Sequence, residues 1–230
     1  MEVKGIQVWG DSVLKGVVFD PLRRRYVLLR ESAIALVSRQ LATPVENCSR
    51  MGRTAPQGLE AMRSMPPEAM RDQLVVLEYG GNDCDFDWKQ VDAAPEAGHQ
   101  PHTPVAAFEA VLRELVDYVR ACGGIPILCT LPPLDAGKYF SWITRGLKPE
   151  RILSFLGKPE RIYHWQELYN FVILRVAQAA GCPCVPLRER FLCLVRGEEV
   201  LCEDGIHPNA QGHLLLAQGL LEGARLAGVH

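Results

Sequence analysis

The chain has 230 residues, 48% hydrophobic and 23% charged, a balance that fits a globular α/β domain with a sizeable core, permits two small domains, and excludes a long disordered tail. The formal net charge of -2 gives no basic footprint for a phosphate backbone, which argues against a nucleic-acid partner.

At the start of the chain, Met1-Glu2-Val3-Lys4-Gly5 lacks the basic segment, apolar run and small-residue cleavage site of a signal peptide. The expectation is a cytoplasmic protein, although a leader already removed would leave no trace. Residues 6–9 are a short apolar run stopped by Gly10-Asp11-Ser12, the pattern of a buried strand ending in a turn. Ile34, Val37 and Leu41 at helical spacing predict a helix over 31–41, and Pro44 separates it from a second strand at 45–48. Leu74-Val75-Val76-Leu77-Glu78-Tyr79 is the clearest strand, closed by Gly80-Gly81-Asn82-Asp83, and reads as central in a sheet. Thr103-Pro104 predicts a capping hydroxyl before a proline at the first helical position. Phe108, Val111, Leu112, Leu115 and Val119 then form one apolar stripe, ended by Gly123-Gly124. A strand is expected at 125–130, a helix at 163–180, a short strand at 184–187 and a closing helix at 210–227. No apolar run is long enough to span a bilayer.

Strands alternating with helices imply crossover units, hence a mainly parallel sheet with helices on both faces. With no repeat or linker, 1–230 reads as a single domain. Two connections, 84–102 and 131–161, are longer than turns, and both leave the C-terminal ends of predicted strands, where open α/β sheets bind ligands. They are the expected pocket walls, although 84–102 would serve equally as a surface insertion. Tyr139, Phe140, Trp142, Phe155, Tyr163 and Trp165 in or beside the second predict a small helical cap over the pocket. Phe140 and Trp142 are candidate substrate contacts, while a satellite core or a homodimer contact would use the same rings.

Eight cysteines, mostly in apolar contexts, read as reduced small hydrophobes. The late cluster Cys182, Cys184, Cys193 and Cys202 lacks zinc spacing, and His99, His102, His164, His213 and His230 offer no ligand pattern, so neither metal nor cofactor is expected. Arg23-Arg24-Arg25 reads as a solvated loop or edge strand.

Three short motifs carry chemistry. A serine in a sharp turn after a strand, as in Gly10-Asp11-Ser12, can project its oxygen from the sheet edge, although Gly, Asp and Ser also suit an ordinary cap. In Asp204-Gly205-Ile206-His207-Pro208 the three-residue spacing can return the carboxylate onto the imidazole, fixing its tautomer and stabilising the imidazolium; an ordinary turn would have the same composition. Asn82 in the glycine-rich turn can offer an amide donor to a developing oxyanion.

Taken together, and in this order, the three motifs resemble the SGNH hydrolase family, also called GDSL-type hydrolases, from Trp9 to His207. The resemblance implies a three-layer α/β/α sandwich of flavodoxin-like type, with Ser12 as nucleophile, His207 as general base and then acid, and Asp204 orienting it. It implies an oxyanion hole from the Ser12 and Gly52 N–H groups and the Asn82 amide, Gly52 being the natural candidate for the family's glycine after the second strand. Val13 stands where the family often has leucine. Asp11 beside the serine is a further candidate contact.

The expected function is hydrolysis of a small-molecule acyl ester through an acyl-serine intermediate, with acetyl groups on a carbohydrate as the first choice. A lysophospholipase or acyl-thioesterase is the alternative, favoured by an extended apolar groove. An idle SGNH-fold binding protein is the alternative of another class.

Overall fold

A computed structural model of the chain describes residues 3–194 and 199–228; His230 lies outside the described residues. The elements run β1 (Gly5–Gly10), α1 (Ser12–Lys15), β2 (Val17–Asp20), β3 (Arg25–Leu28), α2 (Ala33–Gln40), β4 (Val45–Asn47), α3 (Ala55–Arg63), β5 (Gln73–Glu78), α4 (Trp88–Ala93) and α5 (Val105–Ala121). They continue with β6 (Ile125–Cys129), α6 (Ala136–Ile143), α7 (Pro149–Leu156), α8 (Glu160–Ala179), β7 (Cys184–Val185), α9 (Leu187–Leu192) and α10 (Ala210–Leu226).

Five strands form one parallel sheet in the order β4-β1-β5-β6-β7. This is the α/β/α arrangement with the doubly wound order in which the chain reverses direction beside β1. Side-chain alternation explains why both faces are covered. Ile6, Val8, Leu74 and Val76 point into a core shared with α2, α9 and α10, whereas Trp9, Val75 and Leu77 point into the core beneath α3, α5 and α8. A strand buried on both faces reads as a continuous apolar run, as 74–77 does.

β1 and β5 lie side by side with Gly10 opposite Glu78. The turns that follow them, carrying Ser12 and Asn82, therefore emerge next to each other at the C-terminal edge. A third, smaller core of Phe86, Trp88, Val91, Tyr139, Ile152 and Ile162 joins the connection 84–102, which contains α4, to the cap formed by α6 and α7.

Several expectations are corrected. Thr103 does not cap α5: Pro104 occupies the N-cap position, and the Thr103 hydroxyl donates instead to Asp83 at 2.7 Å. The helix expected at 163–180 begins at Glu160, since Pro159 already holds a helical φ of -58°. The strand expected at 184–187 shrinks to two residues because Leu187 starts α9. The antiparallel hairpin β2–β3 was not foreseen; Arg23, Arg24 and Arg25 lie exposed around its turn, as a solvated edge would place them. All eight cysteines are free. Among the described residues, no helix is long and apolar enough to cross a membrane.

Candidate active site

Ser12 is the first residue of α1, immediately beyond β1, and is nearly buried. Asp11 caps that turn by accepting from the Val13 N–H at 2.8 Å, which fixes the direction in which the serine leaves the sheet. Being first in the helix, the Ser12 N–H has no intrahelical acceptor.

The histidine arrives from the far end of the chain. The loop before α10 closes on itself through Cys202 N–H donating to His207 O at 2.8 Å and Gly205 N–H donating to Cys202 O at 3.1 Å. Asp204 Oδ1 accepts from the backbone N–H groups of Ile206 and His207, each at 3.1 Å, leaving Oδ2 for the imidazole Nδ1 at 2.7 Å. Gly205 is required twice over: its φ is +76°, and a Cβ there would lie 2.7 Å from both Asp135 O and Tyr139 N at the start of α6. The cap thus seats directly on the loop that carries Asp204 and His207.

His207 Nε2 lies 2.9 Å from Ser12 Oγ. Burial is the largest influence on Asp204 and pushes its pKa up, but the His207 hydrogen bond, its charge and the two backbone donors outweigh it, and the net shift is downward. A carboxylate so held only accepts, so Nδ1 carries the imidazole proton and Nε2 is left to accept from the serine hydroxyl. This is the arrangement a general base needs to take a proton from a nucleophile.

Asn82 follows β5. Its amide nitrogen donates to Asp11 Oδ2 at 2.9 Å and, more weakly, to Arg53 O at 3.4 Å. Gly80 before it has a φ of +136°, and a Cβ there would press on Leu131 and Phe108. Asp83 is buried and accepts from the Ala55 N–H and the Thr103 hydroxyl, fastening the starts of α3 and α5 to this turn. Burial raises the pKa of Asp11 to about 6 against its hydrogen bonds and the charge of His207, and burial likewise raises Asp83 to about 6.

A cavity of about 310 Å³ opens beside Ser12, Asn82 and His207. Its walls are mainly apolar and aromatic: Phe86 and Trp88 from one long connection, Leu134, Tyr139, Phe155 and Leu156 from the other, and Ile162 and Trp165 from α8. Asp85 joins the two connections by accepting from the Tyr139 hydroxyl at 2.7 Å and the Trp88 indole at 2.9 Å.

The structure therefore brings Ser12, His207, Asp204, Asp11 and Asn82 together. Asp11 lines the cavity, with its carboxylate engaged by Val13 and Asn82. Gly52 is exposed in the loop after β4 with a φ of +75° and does not line the cavity. Phe140 and Trp142 do not line it either: they belong to the cap's own core, and Trp142 packs on Phe19 and Tyr26 of the hairpin. The residues missed are Phe86, Trp88 and Tyr26. The first two lie in a connection whose pattern also suited a surface insertion, and Tyr26 lies on a hairpin masked by its arginines.

The model of the GDSL-like lipase/acylhydrolase family matches residues 8–215. The chain belongs to this family. Among curated GDSL proteins, it is similar to the GDSL esterase/lipase CPRD49 of Arabidopsis thaliana, with 23% identity over 183 residues, 78% of this chain and 65% of the relative. The chain thus spans slightly less than two thirds of that relative's length. The fold is shared with a lipase/acylhydrolase from Enterococcus faecalis, with a TM-score of 0.68, 19% identity, and coverage of 100% of this chain and 98% of that one. It is also shared with Axe2, an acetylxylan esterase from Geobacillus stearothermophilus, with a TM-score of 0.63, 19% identity, and coverage of 97% and 96%. The three turns that meet here, carrying Ser12, Asn82-Asp83 and Asp204–His207, all lie within the matched residues.

Proposed function

We propose that the protein is a serine hydrolase that cleaves carboxylic esters whose acyl group is an apolar chain of medium length. One observation carries the reading: Ser12, His207 and Asp204 form a continuous hydrogen-bonded chain, at 2.9 and 2.7 Å, that opens on an apolar cavity.

Ser12 Oγ attacks the ester carbonyl carbon as its proton passes to His207 Nε2, and Asp204 stabilises the imidazolium so formed. The Ser12 N–H and the Asn82 amide hold the tetrahedral oxyanion, with Gly52 as a further donor only if its loop turns inward. Collapse breaks the bond to the alcohol, which takes the proton from His207 and leaves an acyl-serine. Water then attacks that ester, giving its proton to His207, and release of the carboxylic acid returns the proton to Ser12.

The cavity supports the choice of acyl group. At about 310 Å³ it sits at the small end of ligand pockets, far larger than an acetyl group needs, and its polar side chains are mostly engaged within the protein. Asp85 is bonded to Tyr139 and Trp88, and Gln166 to Pro132 and Arg188. Glu78 Oε2 and the Trp165 indole N–H are lining groups without partners among the described residues, so a sugar would find only a few beyond Ser12 and His207. The second reading, deacetylation of a carbohydrate, is favoured by Trp88 and Trp165, whose rings can stack on a pyranose, and by the activity for which Axe2 is named.

A series of p-nitrophenyl esters from acetate to palmitate, with acetylated xylose alongside, tests both readings. The expected optimum in kcat/KM lies at medium chains; an optimum at acetate, with turnover of the acetylated sugar, favours the second. Absence of both hydrolysis and fluorophosphonate labelling of Ser12 in folded protein makes the chain a binding protein and ends the catalytic reading.

A further inference from the structure

The imidazole of His207 is fixed within its own plane by Asp204 and Ser12, but in-plane hydrogen bonds do not resist tilting of the ring. The hairpin β2–β3 supplies what does. It follows directly on the serine's turn, and Leu29 N–H donates to Gly16 O at 2.8 Å to close its base. Phe19 and Tyr26 face each other across it, with ring centroids 5.5 Å apart. Tyr26 then packs against the imidazole of His207 at 5.0 Å, and Trp142 of α6 packs against Phe19 at 4.6 Å.

The Tyr26 phenol lies close enough to Asp204 to feel its negative charge, and its ring centroid is 6.2 Å from that of Trp142. Burial, followed by the negative charge of Asp204, holds the phenol well above its usual pKa, so it stays neutral beside the carboxylate. One side chain thus packs on the ring of one member of the pair and lies near the other. Arg145, 3.8 Å above the Trp142 ring, backs the stack from the cap side.

We propose that Tyr26, clamped between Trp142 of the cap and the His207 imidazole, is a positioning residue that holds the His207–Asp204 pair in line with Ser12. The inference rests on the catalytic reading of Ser12, His207 and Asp204. Tyr26 packs on His207 but does not line the cavity, so its effect falls on the rate of chemistry and not on substrate binding.

The test compares Tyr26→Phe, Tyr26→Leu and Ser12→Ala by steady-state hydrolysis of a p-nitrophenyl ester, fluorophosphonate labelling and thermal melting. Tyr26→Phe keeps the ring and is expected to hold kcat within about threefold of the unaltered chain with KM unchanged. Tyr26→Leu loses the ring and is expected to lower kcat about tenfold, with labelling slowed in parallel; the higher rate of the Phe variant is then the rescue. Full kcat in both folded Tyr26 variants, or a loss carried only by KM or by melting, overturns the proposal while an inactive Ser12→Ala leaves the catalytic reading intact. Undiminished hydrolysis by Ser12→Ala instead removes the catalytic reading and this inference with it.

Discussion

Asn82 is held by an anion. Its amide nitrogen donates to Asp11 Oδ2, whose other oxygen caps the serine's turn, so one carboxylate sets the donor and the nucleophile relative to each other. The second amide hydrogen makes only a 3.4 Å contact with Arg53 O and is the one an oxyanion can claim. Asn82→Ala is expected to lower kcat about a hundredfold or more with the fold retained, since one oxyanion donor is typically worth about 3 kcal/mol. Unchanged turnover in a folded variant would remove Asn82 from the site. Asp11→Asn makes a second and separable prediction: an amide offers one acceptor where two are needed and turns a donor toward a donor. It is expected to lower kcat about tenfold while fluorophosphonate still labels Ser12; full activity would show that the tether is dispensable. The serine, asparagine and Asp-x-x-His groups were legible in the sequence only together, because their order resembles the SGNH hydrolase family while each turn alone would suit an ordinary cap or turn. Tyr26 was not, because its contact with His207 joins residues 26 and 207 through a hairpin that carries no motif of its own.

Among the elements, the sheet strands and long helices were readable because alternation and apolar stripes are imposed by burial on both faces. The hairpin escaped although Val17-Val18-Phe19 and Tyr26-Val27-Leu28-Leu29 are short apolar runs either side of Asp20-Pro21, because Arg23-Arg24-Arg25 between them suits a solvated loop or edge strand equally well. The cap was foreseen as helical, but which rings point into the cavity depends on packing between two insertions. Phe155 of α7 is the informative ring: it touches Phe86 at 5.4 Å and His99 at 5.3 Å and lines the cavity while remaining half-buried. Phe155→Ala should therefore cost less stability than the about 3–5 kcal/mol of a fully buried phenylalanine. It should lengthen the acyl pocket, raising the decanoate-to-hexanoate ratio of kcat/KM by roughly tenfold, in keeping with the worth of added methylenes in an apolar pocket. A ratio that does not move would place the acyl chain elsewhere.

Across the whole molecule, two sets of buried titrating groups tilt stability in opposite directions with pH. Asp11 and Asp83 have folded pKa values of about 6, raised from 3.8 mainly by burial, so their contribution is greatest at low pH and is lost as pH rises through about 6. His213 on α10 behaves in the reverse sense. It is fully buried, its Nδ1 accepts from the Ala33 N–H at the start of α2, and its Nε2 has no partner among the described residues. Burial, with a smaller push from His207, lowers its pKa from 6.5 to about 4. Between those values the unfolded chain binds a proton that the folded chain refuses, so stability falls as pH drops from 6.5 toward 4. His213→Asn keeps an acceptor for Ala33 and removes the titration. Denaturant unfolding of both proteins at several pH values should show the unaltered chain losing about 3 kcal/mol relative to the variant between pH 7 and pH 4, while the slopes from Asp11 and Asp83 cancel in the difference. A difference independent of pH would mean that His213 gains a proton without resistance, and that α10 and α2 part readily enough to let water reach it.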